Sequence, residues 1–410
     1  MGVRVCVVGK GGREHALAVS LAREADVVVC PGNQGMELLG VTCSDTPPEA
    51  VEADLFVIGP EEPLVDGLAD RLRAGGKRVF GPGADGARLE GSKAWMKELL
   101  VEAGVPTARH GSFTREEQAI SFLRAMDPPY VVKTDGLAAG KGVLVTEDRS
   151  EAEDAVRRYM SGEAFGDAGR TVVIEEGLYG RELSVLAVCD GQRATPLPPA
   201  RDHKRLLDGD AGPNTGGMGA YSPVPDADDV LVERVMDECV EPTLDALRRT
   251  GVDYRGVLYA GLMITADGPK VLEYNVRFGD PEAQAVLPRL GEGLLELLAS
   301  AADGSLRVEP NVRDVASVTV VCATEGYPTT PRTGDPIEGL DEVVGLPGVE
   351  VFSAGVARDP MGRPVTAGGR VLAVTGLGGD LVAARDAAYA AVTRLRWEGM
   401  HFRRDIGATF

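Results

Sequence analysis

Residues 270–282 read KVLEYNVRFGDPE, and strand alternation puts Glu273, Asn275 and Arg277 on one face while Leu272, Tyr274 and Val276 point to the other. Two hard oxygen donors and a guanidinium on one surface can hold a magnesium ion on phosphate oxygens beside a fixed cation that stabilises a transferring phosphoryl group. Gly279, Asp280 and Glu282 continue this polar wall through a turn.

Three other stretches could bind parts of a phosphorylated ligand. Residues 133–142 read KTDGLAAGKG, which departs twice from the GxxxxGK[ST] phosphate loop. Gly136 lies one residue too close to Gly140-Lys141, and Gly142 stands where a Ser or Thr would bind the metal. With strand-like runs on both sides, this segment is expected to fold as a flap whose amides face phosphates while Lys133 supplies charge. Beyond it, an apolar run turns into Glu175, Glu176, Gly177 and Leu178, with Glu182 following. Backbone groups at such a turn can pair with an adenine edge, and a carboxylate can accept ribose hydroxyls.

The third stretch, Gly9-Lys10-Gly11-Gly12-Arg13-Glu14-His15, follows the first strand and opens a helix, where exposed amides and the helix dipole favour an anion. A dinucleotide fold would need glycine or alanine where Glu14 stands, and an acid where the second strand ends in Pro31-Gly32-Asn33. A nicotinamide cofactor is therefore disfavoured. Asp202-His203-Lys204-Arg205 and the run 212–219, GPNTGGMG with Asn214 inside it, form a loop too costly in chain entropy to be idle.

These residues need rigid elements behind them. The first ninety residues alternate strand-like runs (3–8, 27–30, 55–58, 79–80) with amphipathic segments, which predicts a parallel α/β layer. Leu64, Leu68 and Leu72, at four-residue spacing, are expected to share one face of a helix. A helix from Ser92 should end at Gly104, and short strands at 130–133, 142–146, 171–175 and 183–189 with a helix at 150–160 predict a small inserted α+β module. A long helix from 230 toward 251, strands at 256–264 and 270–276, and a mixed tail closing on an alanine-rich helix from 380 to about 397 complete the pattern.

The 410 residues call for two to four domains. With 43 Lys+Arg against 63 Asp+Glu, the net charge of −20 repels nucleic acid and anionic membranes, so any phosphate must be held by local donors. Six cysteines form no CxxC pair and are expected as buried, reduced thiols; four scattered histidines offer no zinc spacing. No apolar run approaches the roughly eighteen residues of a membrane span, and a cytoplasmic enzyme is expected.

The segments GGREHA, PGN, GPEEPLVDG, LEGSK, DGLAAGKGV, DHKR, GPNTGGMGAYSP, NVRFGDPE, RTGD, GGRVL and DIG run in order along the whole chain. In this order they resemble the phosphoribosylamine-glycine ligase family, and GPNTGGMGAYSP with RFGDPE is highly specific. The resemblance implies an ATP-grasp fold, α/β and α+β across several domains. These would be an N-terminal pre-grasp domain at 1–91, a central domain at 92–110 and 190–316, a small lid at 111–189 and a C-terminal mixed domain at 317–410.

By the same resemblance ATP would contact Lys93, Lys133, Gly140, Lys141, Gly142, Glu175, Glu176, Leu178 and Glu182, and Glu273 and Asn275 would hold Mg2+ or Mn2+. Phosphoribosylamine would lie against Gly11, Gly12, Arg13, Glu14, His15 and Asn33. Asp202, Lys204, Asn214, Arg277, Gly279 and Asp280 would stand nearer the reaction centre. The implied chemistry is ligation of glycine through an acyl phosphate, by a monomer or weak homodimer. Another carboxylate-amine ligase of the same superfamily is the alternative. Residues 259–263, YAGLM, lack the carboxylate that many ATP-grasp enzymes place on the preceding strand.

Overall fold

The computed structural model describes residues 2–137, 142–162 and 169–408. The N-terminal sheet is parallel, with strands in the spatial order Thr42–Cys43, Asp26–Pro31, Arg4–Gly9, Leu55–Ile58, Val79–Phe80. The following helix, Gly12–Leu21, starts three residues before His15, because Gly11 caps it and the Glu14 carboxylate accepts the Gly11 N–H at 2.6 Å. Leu64, Leu68 and Leu72 are all buried, yet they belong to two helices, Glu61–Val65 and Leu68–Ala74. Gly67 breaks the chain between them at φ 76°, a conformation a Cβ would disfavour.

A second sheet is antiparallel: His110–Phe113, Val172–Glu176, Tyr130–Thr134, Val143–Thr146. Helices Glu116–Arg124 and Arg149–Met160 cover it with a core of its own, built around Leu123, Tyr130, Val156, Tyr159 and Ile174. The sequence pattern does not announce Glu116–Arg124, whose buried stripe is only Ala119, Ile120 and Leu123.

The central sheet orders Ala194–Pro196, Arg181–Asp190, Arg255–Thr265 and Gly268–Asn275, also antiparallel. Its strand Arg181–Asp190 falls within the stretch 111–189 expected to form the lid, and pairing assigns it instead to the central sheet. The chain leaves one sheet for the other at Gly177 and Gly180, where a Cβ would lie 2.3 Å from Pro129 Cγ and 2.2 Å from the Ile264 oxygen respectively. Two apolar runs so close in sequence read alike, and only these backbone contacts separate them.

The fourth sheet joins distant parts of the chain: Arg201–Asp202, Gly219–Ser222, Ala316–Ala323, Arg370–Gly378, Val349–Ser353. Both ends of the loop around Lys204 are thereby anchored in the same sheet as the C-terminal strands. The helix Leu381–Val392 packs on this sheet closely enough that a Cβ at Gly376 would meet the Ala384 oxygen at 2.1 Å. It stops at Val392, short of the expected Trp397, because the chain turns so that Arg396 can bridge to Glu338. The long helix from 230 is continuous through Asp229–Val235, Met236–Val240 and Glu241–Arg249, its middle segment wound as a π-helix that accommodates Pro242.

All six cysteines are free, and all but Cys43 are buried. Among the described residues no helix is long and apolar enough to cross a membrane.

Candidate active site

A cavity of about 330 Å³ gathers Lys93, Gly142, Asp202, Lys204, Glu273, Asn275, Arg277, Asp280 and Arg13 from five separate stretches of chain. Glu273 projects from the strand Gly268–Asn275 opposite Gly261, where a Cβ would come within 3.3 Å of its Cγ. A glycine there leaves room for the carboxylate. Burial works to raise the Glu273 pKa, but Lys204, Lys133, Lys93 and Arg277 outweigh it and hold the group below its ordinary value. Beside it Asn275 Oδ1 accepts from Arg277 Nη2 at 3.1 Å; the expected trio lines one cavity, with Arg277 beyond the strand's end at Asn275 and Tyr274, expected on the opposite face, lining it as well.

Arg277 spends its other donors on Glu61 Oε2 at 3.1 Å, Glu90 Oε1 at 2.6 Å and the Phe278 oxygen at 3.3 Å. The two carboxylates respond differently to this one cation. At Glu61 burial opposes ionisation but Arg277 and Arg13 prevail, bringing the pKa down to about 2. Glu90 is enclosed more deeply and faces Glu61, and there burial prevails over Arg277 and raises it. Neither glutamate had a role in the sequence-based site. Their only signal was membership of the GPEEPLVDG and LEGSK segments, since no local spacing ties them to Arg277.

Lys204 Nζ stands 2.8 Å from Glu182 Oε2, which places Glu182 against the reaction loop. Asp202 is pushed up to about 8 by burial, reinforced by Glu282 and Glu182 and opposed by Lys204. Thr215 donates to the Lys204 oxygen through both N–H (2.8 Å) and Oγ1 (2.9 Å), and it is Thr215 and Gly216, beside Asn214, that line the cavity.

On the flap side, Lys93 Nζ donates to the Gly136 oxygen at 2.9 Å. Glu175 is 1% exposed, with Lys133 at 2.9 Å on one oxygen and Lys97 at 2.9 Å on the other, so it serves as the shared counter-charge of two lysines. Lys133 Nζ also reaches the Leu272 oxygen at 3.1 Å, tying the flap strand to the strand that bears Glu273. Glu176 Oε1 accepts the Arg109 N–H at 2.9 Å, and Leu178 is half-buried in the connection between sheets. Gly140 and Lys141 lie outside the described residues.

The N-terminal loop divides its tasks. Arg13 lines the main cavity and donates to Glu14 Oε1 (2.6 Å) and the Phe278 oxygen (3.2 Å). Gly11 and Asn33 line a second cavity of about 400 Å³ together with Tyr327, Gly355 and Gly368. Gly12 packs on Gln284, whose Nε2 would lie 2.7 Å from a Cβ, and Gly279 packs on Glu282. Glu14 and His15 line neither cavity: Glu14 locks the helix cap, and His15 Nδ1 accepts the Ser353 N–H at 2.7 Å, its pKa lowered by burial to about 4. Asp280 and Arg370 line both cavities and pair at 2.8 Å. Arg370, from the GGRVL segment, had no assigned role in the sequence-based site.

A lysine-bearing antiparallel flap facing a strand that carries Glu273 and Asn275 defines the ATP-grasp class of ATP-dependent ligases. Models of the N, ATP-grasp (A) and C domains of phosphoribosylglycinamide synthetase match residues 3–90, 91–283 and 317–409. A phosphoribosylamine–glycine ligase of Streptomyces coelicolor is 50% identical over 422 residues, 99% of each chain. The crystal structure of phosphoribosylamine–glycine ligase from Thermotoga maritima matches with a TM-score of 0.88 at 37% identity, covering 98% of this chain and 100% of that one. The biotin carboxylase domain of Hydrogenobacter thermophilus 2-oxoglutarate carboxylase, solved with MgADP and bicarbonate, shares the fold at a TM-score of 0.72 and 16% identity, over 98% of this chain and 92% of that one. The chain belongs to the phosphoribosylglycinamide synthetase family, whose ligases use ATP.

Proposed function

We propose that the chain joins glycine to 5-phospho-D-ribosylamine, giving glycinamide ribonucleotide, ADP and phosphate, in de novo purine synthesis. The observation that carries this reading is the cavity uniting Lys93, Lys204, Glu273, Asn275 and Arg277, which shares Asp280 and Arg370 as lining residues with a second cavity beside the N-terminal glycine loop. The first has the donors for a nucleoside triphosphate and a small carboxylate. Gly11 and Asn33 in the second supply groups for the phosphorylated amine, and Arg13 joins them from the first.

A glycine carboxylate oxygen attacks the γ-phosphorus and the bond to ADP breaks, giving glycyl phosphate. The ribosylamine nitrogen then attacks the glycyl carbon, the carbon–oxygen bond to phosphate breaks, and the nitrogen loses a proton. Lys93, Lys133 and Lys204 neutralise the phosphates and Arg277 stabilises charge on the transferring group, so the protein aligns and neutralises rather than forming a covalent intermediate. Glu273, kept ionised by four cations, and Asn275 are a hard-oxygen pair suited to Mg2+ or Mn2+, which would add charge neutralisation at the phosphates. The net charge of −20 argues against nucleic acid as a partner. We assign the protein to the cytoplasm as a monomer or weak homodimer.

The test is ADP release in a coupled assay with each substrate omitted in turn. Release that needs both glycine and phosphoribosylamine supports the reading; release driven by another acid and not by glycine contradicts it.

A further inference from the structure

Between Lys204 and Thr215 the chain makes a two-stranded hairpin, Arg205–Leu207 with Ala211–Asn214, whose residues 207–213 are exposed. An isolated hairpin of this size is marginal in water, yet this one ends on two residues that line the reaction cavity. What holds it is the C-terminal segment. Arg404 N–H donates to Asp208 Oδ1 at 2.7 Å, Gly209 N–H donates to Asp405 Oδ2 at 2.8 Å, and His401 Nε2 lies 2.9 Å from the Leu206 oxygen.

At the centre is Arg403, with no exposed side-chain surface. Its Nε and Nη2 engage the two oxygens of Asp405 at 2.7 Å each, and its Nη1 reaches Asp210 Oδ1 at 2.6 Å and the Arg205 oxygen at 3.1 Å. Asp210 is the one non-glycine residue with positive φ, 51°, among the described residues. Such a conformation costs free energy and persists where surrounding contacts over-determine it. The same carboxylate oxygen lies 3.8 Å from His203 Nδ1, next to Lys204.

We propose that Arg403 and Asp405 form a clamp that acts through Asp210 to set the reaction loop, making Arg403 and Asp210 positioning residues for Lys204 and Thr215. The inference rests on the ligase reading above. With the hairpin tip pinned, its base is held in one register and the Lys204 backbone is fixed by Thr215. Released, the tip frays and Lys204 samples positions away from the transferring group. A displacement of about 1 Å can lower a rate by about a hundredfold. Among the described residues, Lys93 and Lys133 are held by the Gly136 and Leu272 oxygens and make no hydrogen bond to this hairpin.

Asp210 is 66% exposed, so the full chain should fold with Asp210→Asn, which tolerates positive φ but lacks the charge. Asp210→Gly provides a second variant with no conformational cost at that site. We expect both to lower kcat of glycine- and amine-dependent ADP release about tenfold or more, to leave the Kd of a non-hydrolysable ATP analogue within about twofold, and to speed amide exchange across residues 205–214. Wild-type kcat in either variant, or an equal loss of ATP-analogue affinity, overturns the clamp. If the wild-type protein releases no ADP with both substrates, the ligase reading has failed; the clamp is then judged by exchange alone, and unchanged exchange overturns it.

Discussion

Arg277 Nη2 donates to Glu90 Oε1 across 2.6 Å, joining the end of the strand that carries Glu273 to the helix Ala84–Gly91. The guanidinium is thus held from behind by Glu90 and Glu61 while lining the reaction cavity. Arg277→Ala should lower kcat at least about a hundredfold, as loss of a transition-state charge contact does. Binding of an ATP analogue, followed by calorimetry, should stay largely unchanged. Full turnover in the variant would remove Arg277 from the mechanism.

Glu175 neutralises two lysines at once, Lys97 and Lys133, at the seam between flap and central sheet. Burial lowers the Lys97 pKa to about 8 even with Glu175 beside it. A lysine so depressed costs stability as pH falls from its unfolded value through about 8, and removing the carboxylate deepens that cost at neutral pH. Glu175→Gln should destabilise the protein by roughly 3–5 kcal/mol, as breaking one side of a buried pair does. Urea unfolding at pH 7 measures it, and a loss under about 1 kcal/mol would speak against the shared counter-charge.

His15 makes a pH-dependent contribution of its own. Its ring is buried neutral, with a pKa lowered to about 4, whereas the unfolded chain takes up the proton near the ordinary histidine value of about 6.5. Its contribution is therefore complete above pH 6.5 and is lost as pH falls toward 4, up to roughly 3 kcal/mol. The imidazole resonances should titrate with a midpoint near 4; a midpoint near 6.5 would place the ring in water.

Glu273 is the proposed metal ligand. Glu273→Ala should raise the Mg2+ concentration for half-maximal ADP release by about tenfold or more, given the ligand's share of a hard-oxygen site. An unchanged magnesium titration would move the metal elsewhere.

Much of the fold and part of the site were legible in the sequence, for identifiable reasons. Alternation placed Glu273 and Asn275 together because local strand geometry decides that, while Arg277 reaches the same cavity from the bend after the strand ends at Asn275. The parallel layer followed from its repeated strand and helix runs. By contrast, Glu61, Glu90 and Arg370 reach the site through tertiary packing across 90 or more residues, and no local pattern marks such pairs. Glu175 and His15 show a different difficulty: both lie in motif segments, yet their side chains turn inward to a lysine pair and to Ser353. Motif membership marks a neighbourhood, and burial decides which members face the ligand. The strand Arg181–Asp190 shows the same limit at the level of sheets, since its partner was set by glycine contacts far along the chain.

The most direct test of the proposed chemistry follows oxygen. Glycine labelled with 18O in its carboxylate is turned over with ATP and phosphoribosylamine, and the inorganic phosphate is analysed by mass. Passage through glycyl phosphate predicts one 18O in each phosphate released. Phosphate free of label would contradict phosphoryl transfer to glycine, and with it the role assigned to the Lys204, Glu273 and Arg277 cavity.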